Sequence, residues 1–311
     1  MVNLREVATL KKRQLKLNRW TMYDVWVTIL SVFMCIITLY PMVYVFSCSI
    51  SDPLMVMAGK IVLLPVGFSL EAYEIVTATK EFWRSFGNSV FYVVIGCILM
   101  FLTTVLVAYP LTRPNLKFRK LITYYLLIPM YFGGGMIPAF IVITKLGLYN
   151  SPWALILPSC YSIWNIILCR TFMSSLPNEL IESALIDGSD QFRTFLKIVL
   201  PLSKPVIAVI MIYTIVGVWN SWFNASIYTT NKEIQPVQLY MKNVLAATTS
   251  LTNQMMNQLP AEIQAKYAEM ALSGNQIKYA MIIIATLPII FVYPMFQKHF
   301  TKGIMLGSLK G

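Results

Sequence analysis

The chain has 311 residues, of which 57% are hydrophobic and 12% charged, and its mean hydropathy is +0.65. A soluble globular chain is about 25% charged, so this composition excludes a cytosolic enzyme and a disordered chain. The formal charge of +12 does not make it a nucleic-acid binder, because the basic residues lie between long apolar runs and not on one soluble face.

The composition predicts an all-α polytopic protein of the lipid bilayer, with no nucleic acid among its partners. A helix needs about 20 apolar residues to cross roughly 30 Å of hydrocarbon, and six stretches reach or approach that length. Residues 1–24 form a basic tail before the transmembrane domain, 25–298. The first span, Val25–Phe46, exceeds the roughly 7–15 residues of a signal-peptide core and lacks a small-residue cleavage site after it. It reads as a retained span. Residues 47–89 form a long external loop with turn signals at Ser51-Asp52-Pro53 and Pro65-Val66-Gly67. The second span is Val90–Ala108 and the third Leu121–Thr144, with Gly133–Gly135 set between Pro129 and Pro138. That cluster predicts a bend or a close-packing point near a translocation path. The fourth span, Trp153–Cys169, and the fifth, Pro205–Ile227, flank the loop 171–204. A second external loop, 228–278, carries a helical pattern near Pro260–Ala271, and the sixth span, Tyr279–Phe296, leads to the tail 299–311.

None of the six spans contains Asp, Glu, Lys or Arg. Cys35, Cys97, Cys160 and Cys169 lie inside apolar runs and Cys48 at the edge of one, which suits small lipid- or helix-facing residues. With the N-terminus in the cytoplasm, 17 basic residues fall inside and 8 outside. The positive-inside rule therefore places both termini in the cytoplasm.

The loop 171–204 reads as two short amphipathic helices. Pro177 suits a first helical position and Glu179 the positive end of the dipole. Leu180, Ile181, Ala184 and Leu185 form one stripe, and Gly188 is the left-handed terminator. Ser189 or Asp190 caps the second helix, on which Phe192, Phe195, Leu196 and Val199 follow at helical spacing until Pro201 ends it. On pattern alone this could equally be a helix lying on the lipid surface.

The residues themselves go further. Glu182-Ser183-Ala184, then Gly188, Ile198 and Pro201 closely resemble the EAA loop of ABC importer permeases: Glu-Ala-Ala, three residues, Gly, nine residues, Ile-x-x-Pro. Ser183 replaces the first Ala. Phe68-Ser-Leu-Glu-Ala-Tyr73, Asn88-Ser89, Val218-Trp219-Asn220 and the tail Phe296–Gly311 are similar to the smaller six-span permease of maltose-type carbohydrate importers. Tyr131–Pro138 with Lys145–Asn150 is similar to the lipoprotein- or aldouronate-type subgroup.

This resemblance implies an ABC type I importer permease fold in a bacterial cell membrane, carrying a carbohydrate by alternating access. It implies that Glu182, Ser183, Ala184, Asp187, Gly188, Ile198 and Pro201 belong to an element that docks on a cytosolic ATPase dimer, with the C-tail reaching that interface. A second homologous permease and an extracytoplasmic solute-binding protein complete the implied assembly. The chain itself would be no enzyme and hold no cofactor, ATP and Mg residing in the ATPase.

Two further readings bear on function. A phosphate loop is absent from the sequence, since Gly303 and Gly307 have the wrong spacing for one. Proton-coupled carriers place Asp, Glu or His inside their spans, whereas the single His299 lies in the tail, which counts against a secondary carrier. A non-sugar solute, a polyamine or a peptide, stays open. Trp164 and Asn165 in the fourth span, with Trp219, Asn220, Trp222 and Asn224 in the fifth, are candidates for a sugar path, where aromatic faces and amides would sit side by side. Trp222 and Trp153 could instead be interfacial anchors, and Asn220 could bond a neighbouring helix.

Overall fold

A computed structural model gives the fold; it describes residues 21–255 and 276–297, with side chains as far as residue 246 in the first stretch. The tail up to residue 20, the helical pattern expected near Pro260–Ala271 and the tail 299–311 with His299 lie outside the described residues. Among the described residues four helices are long and apolar enough to cross a membrane, or up to six spans if each of two bent pairs counts as one.

The first helix, α1 (Met22–Ser49), starts at a capping box. Thr21 Oγ1 accepts from the Asp24 N–H at 3.2 Å and Asp24 Oδ2 accepts from the Thr21 N–H at 2.8 Å, satisfying donors that a helix start leaves free. Only Ser47, Cys48 and Ser49 at its far end are buried. The long loop after it is ordered by α2 (Pro53–Met57) and α3 (Glu71–Thr77). It is pinned by Ser47 Oγ donating to Leu63 O at 2.6 Å and Gln276 Nε2 donating to Ser51 O at 2.6 Å.

Next come α4 (Lys80–Thr112), the bent pair α5 (Arg119–Tyr131) and α6 (Met136–Lys145), then α7 (Trp153–Ser159) and α8 (Ile163–Ser174), which together make one span. The short α9 (Asn178–Ile186) precedes a second bent pair, α10 (Gln191–Leu202) and α11 (Lys204–Trp219). α12 (Trp222–Tyr228), α13 (Val237–Met255) and α14 (Gln276–Gln297) complete the order. α4 is the axis, with α8 and α11 packed along it and α7 and α13 touching it. A Cβ at Gly96 would stand 3.5 Å from Val218 Cγ2, at ordinary van der Waals distance, so α4 and α11 lie in contact there.

Gly133–Gly135 is a turn of 114° between α5 and α6. Gly135 holds φ +81°, a region that favours glycine. Within this chain the cluster acts as a bend: a Cβ at Gly133 or Gly135 would meet no heavy atom within 4 Å, and one at Gly134 would stand 3.7 Å from Pro138 Cβ. Two cores result. Met100, Tyr109, Ile166, Ile181, Phe195 and Ile210 meet at the end that carries α9, and Phe82, Trp219, Val237 and Met281 meet at the opposite end.

Candidate functional site

Two helix breaks adjoin one cavity beside α4. The first lies at Cys160–Ser162, between α7 and α8. Ser162 Oγ caps α8 by accepting from the Asn165 N–H at 3.3 Å, and the freed Cys160 carbonyl accepts from Thr103 Oγ1 at 2.6 Å. The second lies at Asn220 and Ser221, between α11 and α12. Irregular backbone at membrane depth is tolerated only where protein buries it or a water-filled cavity adjoins it. A cavity of about 370 Å³ does adjoin both breaks. Tyr92 from α4, Tyr161 and Trp164 from the first break, and Tyr213 from α11 supply its aromatic faces. Ser159, Ser162, Asn165, Thr214, Ser221 and Asn224 supply hydroxyls and amides, and among the described residues no charged side chain lines it.

This divides the six path candidates. Trp164, Asn165 and Asn224 lie on the cavity wall. Trp164 is 59% exposed, and the buried Asn165 turns its Nδ2 to Met100 Sδ at 3.6 Å. Trp219 is 4% exposed and belongs to the second core, where its Nε1–H donates to Ala285 O at 3.0 Å and its ring meets Phe86 edge-on. Asn220 and Trp222 line a separate hollow beside α14, with the Lys242 ammonium 4.3 Å above the Trp222 ring. Tyr92, Tyr161 and Tyr213 were not singled out by sequence reasoning, although a tyrosine hydroxyl inside an apolar span is itself a signal. The wall is completed by Pro236, in a segment clasped to α4: Asn88 Nδ2 donates to Glu233 O at 2.7 Å, the Tyr92 hydroxyl to Ile234 O at 2.5 Å and the Val237 N–H to Ser89 Oγ at 2.8 Å.

At the other end, α9 and α10 form a hairpin. α9 ends at a reverse turn in which the Ser189 N–H donates to Ala184 O at 2.9 Å and the Gly188 N–H to Leu185 O at 3.1 Å, with Gly188 at φ +79°. This is the Schellman pattern of helix termination. Asp190, not Ser189, caps α10, its Oδ1 accepting from the Arg193 N–H at 2.7 Å. Pro177 stands one position earlier than expected, as the N-cap of α9.

Pro201 does not end the second helix. The chain widens to a π turn at Phe195–Val199, and the Leu200 N–H reaches back to Phe195 O. That slip of the ladder removes the conflict with a residue that has no N–H, so α10 runs on to Leu202 and bends by 74° into α11. The expected stripes also split. Ile181, Ala184, Phe195 and Val199 are buried, whereas Leu180, Leu185, Ile186, Phe192 and Leu196 are exposed beside Glu182, Ser183, Asp187 and Gly188. Both Ile198 and Pro201 are only partly covered or exposed.

The chain has recognisable relatives along most of its length. A family model described as "Binding-protein-dependent transport system inner membrane component" matches residues 100–305. The chain is 39% identical over 280 residues to Protein LplC of Bacillus subtilis (strain 168), covering 88% of this chain and 90% of that protein. It is 37% identical over 281 residues to the polygalacturonan/rhamnogalacturonan transport system permease protein YtcP of the same organism, covering 89% and 94%. Among solved structures it is similar, with TM-score 0.79 and 29% identity over 91% of this chain and 99% of the other, to a chain of a bacterial ABC transporter involved in the import of the acidic polysaccharide alginate.

Proposed function

The chain belongs to the family of binding-protein-dependent transport system inner membrane components, and from that premise we propose that it is the permease subunit through which an ATP-driven importer moves an oligosaccharide. The observation that carries this reading is the uncharged cavity at the two helix breaks. Aromatic faces of Tyr92, Tyr161, Trp164 and Tyr213 suit the apolar faces of sugar rings, and the flanking hydroxyls and amides suit their hydroxyl groups. A polyamine would require carboxylates, and this wall holds none. The names of the relatives, with polygalacturonan/rhamnogalacturonan and alginate among their substrates, favour a carbohydrate as well.

The exposed edge of the hairpin, with Glu182, Ser183, Asp187 and Gly188, is the docking element for a cytosolic ATPase dimer, which holds the ATP and Mg. The buried Ala184 supports it from beneath, and the partly covered Ile198 and the exposed Pro201 belong to the same hairpin. Closure of the ATPase pushes α9. The push passes through α10 and the bend at Ser203 into α11, which carries Tyr213, Thr214 and Gly217 on the cavity wall. Rotation of that span changes which side of the membrane the cavity meets. Both termini then lie in the cytoplasm, and the clasped segment 233–237 faces an extracytoplasmic solute-binding protein. A second, homologous permease covers the exposed length of α1 and the bent pair α5–α6.

The test is uptake of a labelled oligosaccharide, recognised by the cognate binding protein, into proteoliposomes that hold the complete complex. Uptake is expected only with ATP on the hairpin side. Uptake driven by a proton gradient without ATP would overturn the proposal in favour of a secondary carrier.

A further inference from the structure

A second hollow, about 950 Å³ in volume, lies beside the hairpin and is larger than the cavity between the spans. Arg113 and Arg119 enter it from the two ends of the connection between α4 and α5, and Arg170 enters from near the end of α8. All three are half-buried. Among the described residues the one ion pair joins Arg84 and Glu233 at the far end, and no carboxylate lies within 4.0 Å of Arg113, Arg119 or Arg170. Glu182 lines the hollow but is exposed and does not pair with them. Three guanidinium groups therefore face one space with a single carboxylate at its edge.

Like charges around a partly desolvated hollow repel one another at short range. The positive-inside rule explains why arginines lie at this end of the chain; it does not explain why three of them share a cleft. Arg113 is also preset. Its Cζ lies 4.9 Å from the centroid of the Tyr109 ring and its Nε donates to Thr112 Oγ1 at 3.0 Å, which fixes the plane of the fork. A planar fork matches two oxygens of a phosphate at once.

We propose that this cleft binds a phosphate-bearing anion, supplied either as a soluble phosphate ester or as the head group of an anionic phospholipid. The anion bridges the connection after α4 to α8, beside the wall formed by Asn178 and Glu182 of α9. The inference is independent of which solute the protein carries.

The experiment uses the complex as purified from membranes. One arm measures binding of glucose 6-phosphate to complexes in phosphatidylcholine nanodiscs. The other counts phosphatidylglycerol molecules retained against phosphatidylcholine by native mass spectrometry. The variant Arg113→Gln/Arg119→Gln/Arg170→Gln is compared with Lys117→Gln/Lys120→Gln, whose side chains are exposed in the same region and do not line the cleft. Removing each guanidinium fork is expected to weaken binding by about tenfold, so the triple variant no longer holds the ligand while the lysine control stays within about twofold of the original. Arg→Lys at all three positions keeps the charge without the fork and is expected to fall between them. Loss confined to the soluble arm identifies a phosphate ester, and loss confined to the lipid arm identifies a head group; both support the site. If the triple variant does not assemble, Arg170→Gln alone gives the same readout with one fork removed. Equal signals from the arginine variants and the original complex in both arms would overturn the proposal, as would equal losses in the lysine control.

Discussion

The rings of Tyr109 and Phe195 meet with centroids 4.7 Å apart and planes tilted by 33°. Tyr109 stands in the last turn of the long axial helix and Phe195 opens the π turn of the hairpin, so this contact joins the centre of the bundle to the hairpin. The Tyr109 hydroxyl reinforces it by donating to Gln191 O at 3.2 Å, with Gln191 Oε1 at 3.1 Å.

Removal of that joint should loosen the hairpin more than the second core, in which Tyr109 takes no part. Tyr109→Ala removes a buried ring, a change that costs about 3 kcal/mol or more, whereas Tyr109→Phe gives up only a hydrogen bond worth about 1 kcal/mol. Hydrogen exchange across residues 190–202 should be fast in the Ala variant and nearly unchanged in the Phe variant. Equal protection in the Ala variant would show that the joint carries no load.

The cavity offers a comparison between two tryptophans. Trp164→Ala changes the cavity wall, so uptake should fall while the yield of assembled protein holds. Trp219→Ala opens a hole in the second core and removes the donor to Ala285 O; at about 3–5 kcal/mol, yield and thermal stability should fall first. Gly217→Leu adds bulk on the cavity wall, where a Cβ meets no heavy atom within 4 Å, and should block uptake in a stably folded protein. Normal uptake by Gly217→Leu would remove the cavity from the path.

The clasp over the cavity depends on Ser89. Val237 is fully buried, and its N–H donates to Ser89 Oγ. Ser89→Ala leaves that donor unpaired at a cost of about 1–3 kcal/mol, so the melting temperature in detergent should drop. Ser89→Thr keeps the hydroxyl and should retain most of the stability.

Orientation can be read by labelling. The 17-to-8 division of basic residues predicts that the segment containing Ser250 lies outside. Ser250→Cys, in a protein whose native cysteines are replaced, should react with an impermeant thiol reagent on intact cells. Reaction only after permeabilisation would reverse the orientation.

The parts of this structure that were legible in the sequence are those fixed by local chemistry. Gly188 and Asp190 mark the hairpin turn because a Schellman end and an N-cap need only their neighbours. The three glycines at 133–135 announced a break, although nothing local sets a turn of 114°. Pro201 misled because the stop rule assumes an α-helical ladder, and the π turn at Phe195–Val199 shifts that ladder by one residue. The two tryptophans could not be told apart for a different reason. Residue type states what a side chain can do, but in spans apolar on every side no periodicity tells a cavity-facing position from a core-facing one. Their hydroxyls set Tyr92, Tyr161 and Tyr213 apart by type, but the same uniformity hid that all three face one cavity.

If the hairpin couples this permease to an ATPase, Gly188 and Glu182 are the positions whose substitution should break the joint. A Cβ at Gly188 would meet no heavy atom within 4 Å, so the strain of Gly188→Val comes from φ +79° alone, about 1–3 kcal/mol for a β-branched residue. Glu182→Lys reverses the charge on the exposed edge while leaving the buried Ile181 and Ala184 in place. The measurement is substrate-stimulated ATP hydrolysis by the purified complex, with the amount of ATPase retained on each variant. The expected result is that both variants insert normally, that Gly188→Val loses the ATPase and that Glu182→Lys loses stimulation. Normal retention and normal stimulation in both variants would contradict the account and leave the hairpin as a helix pair resting on the membrane surface.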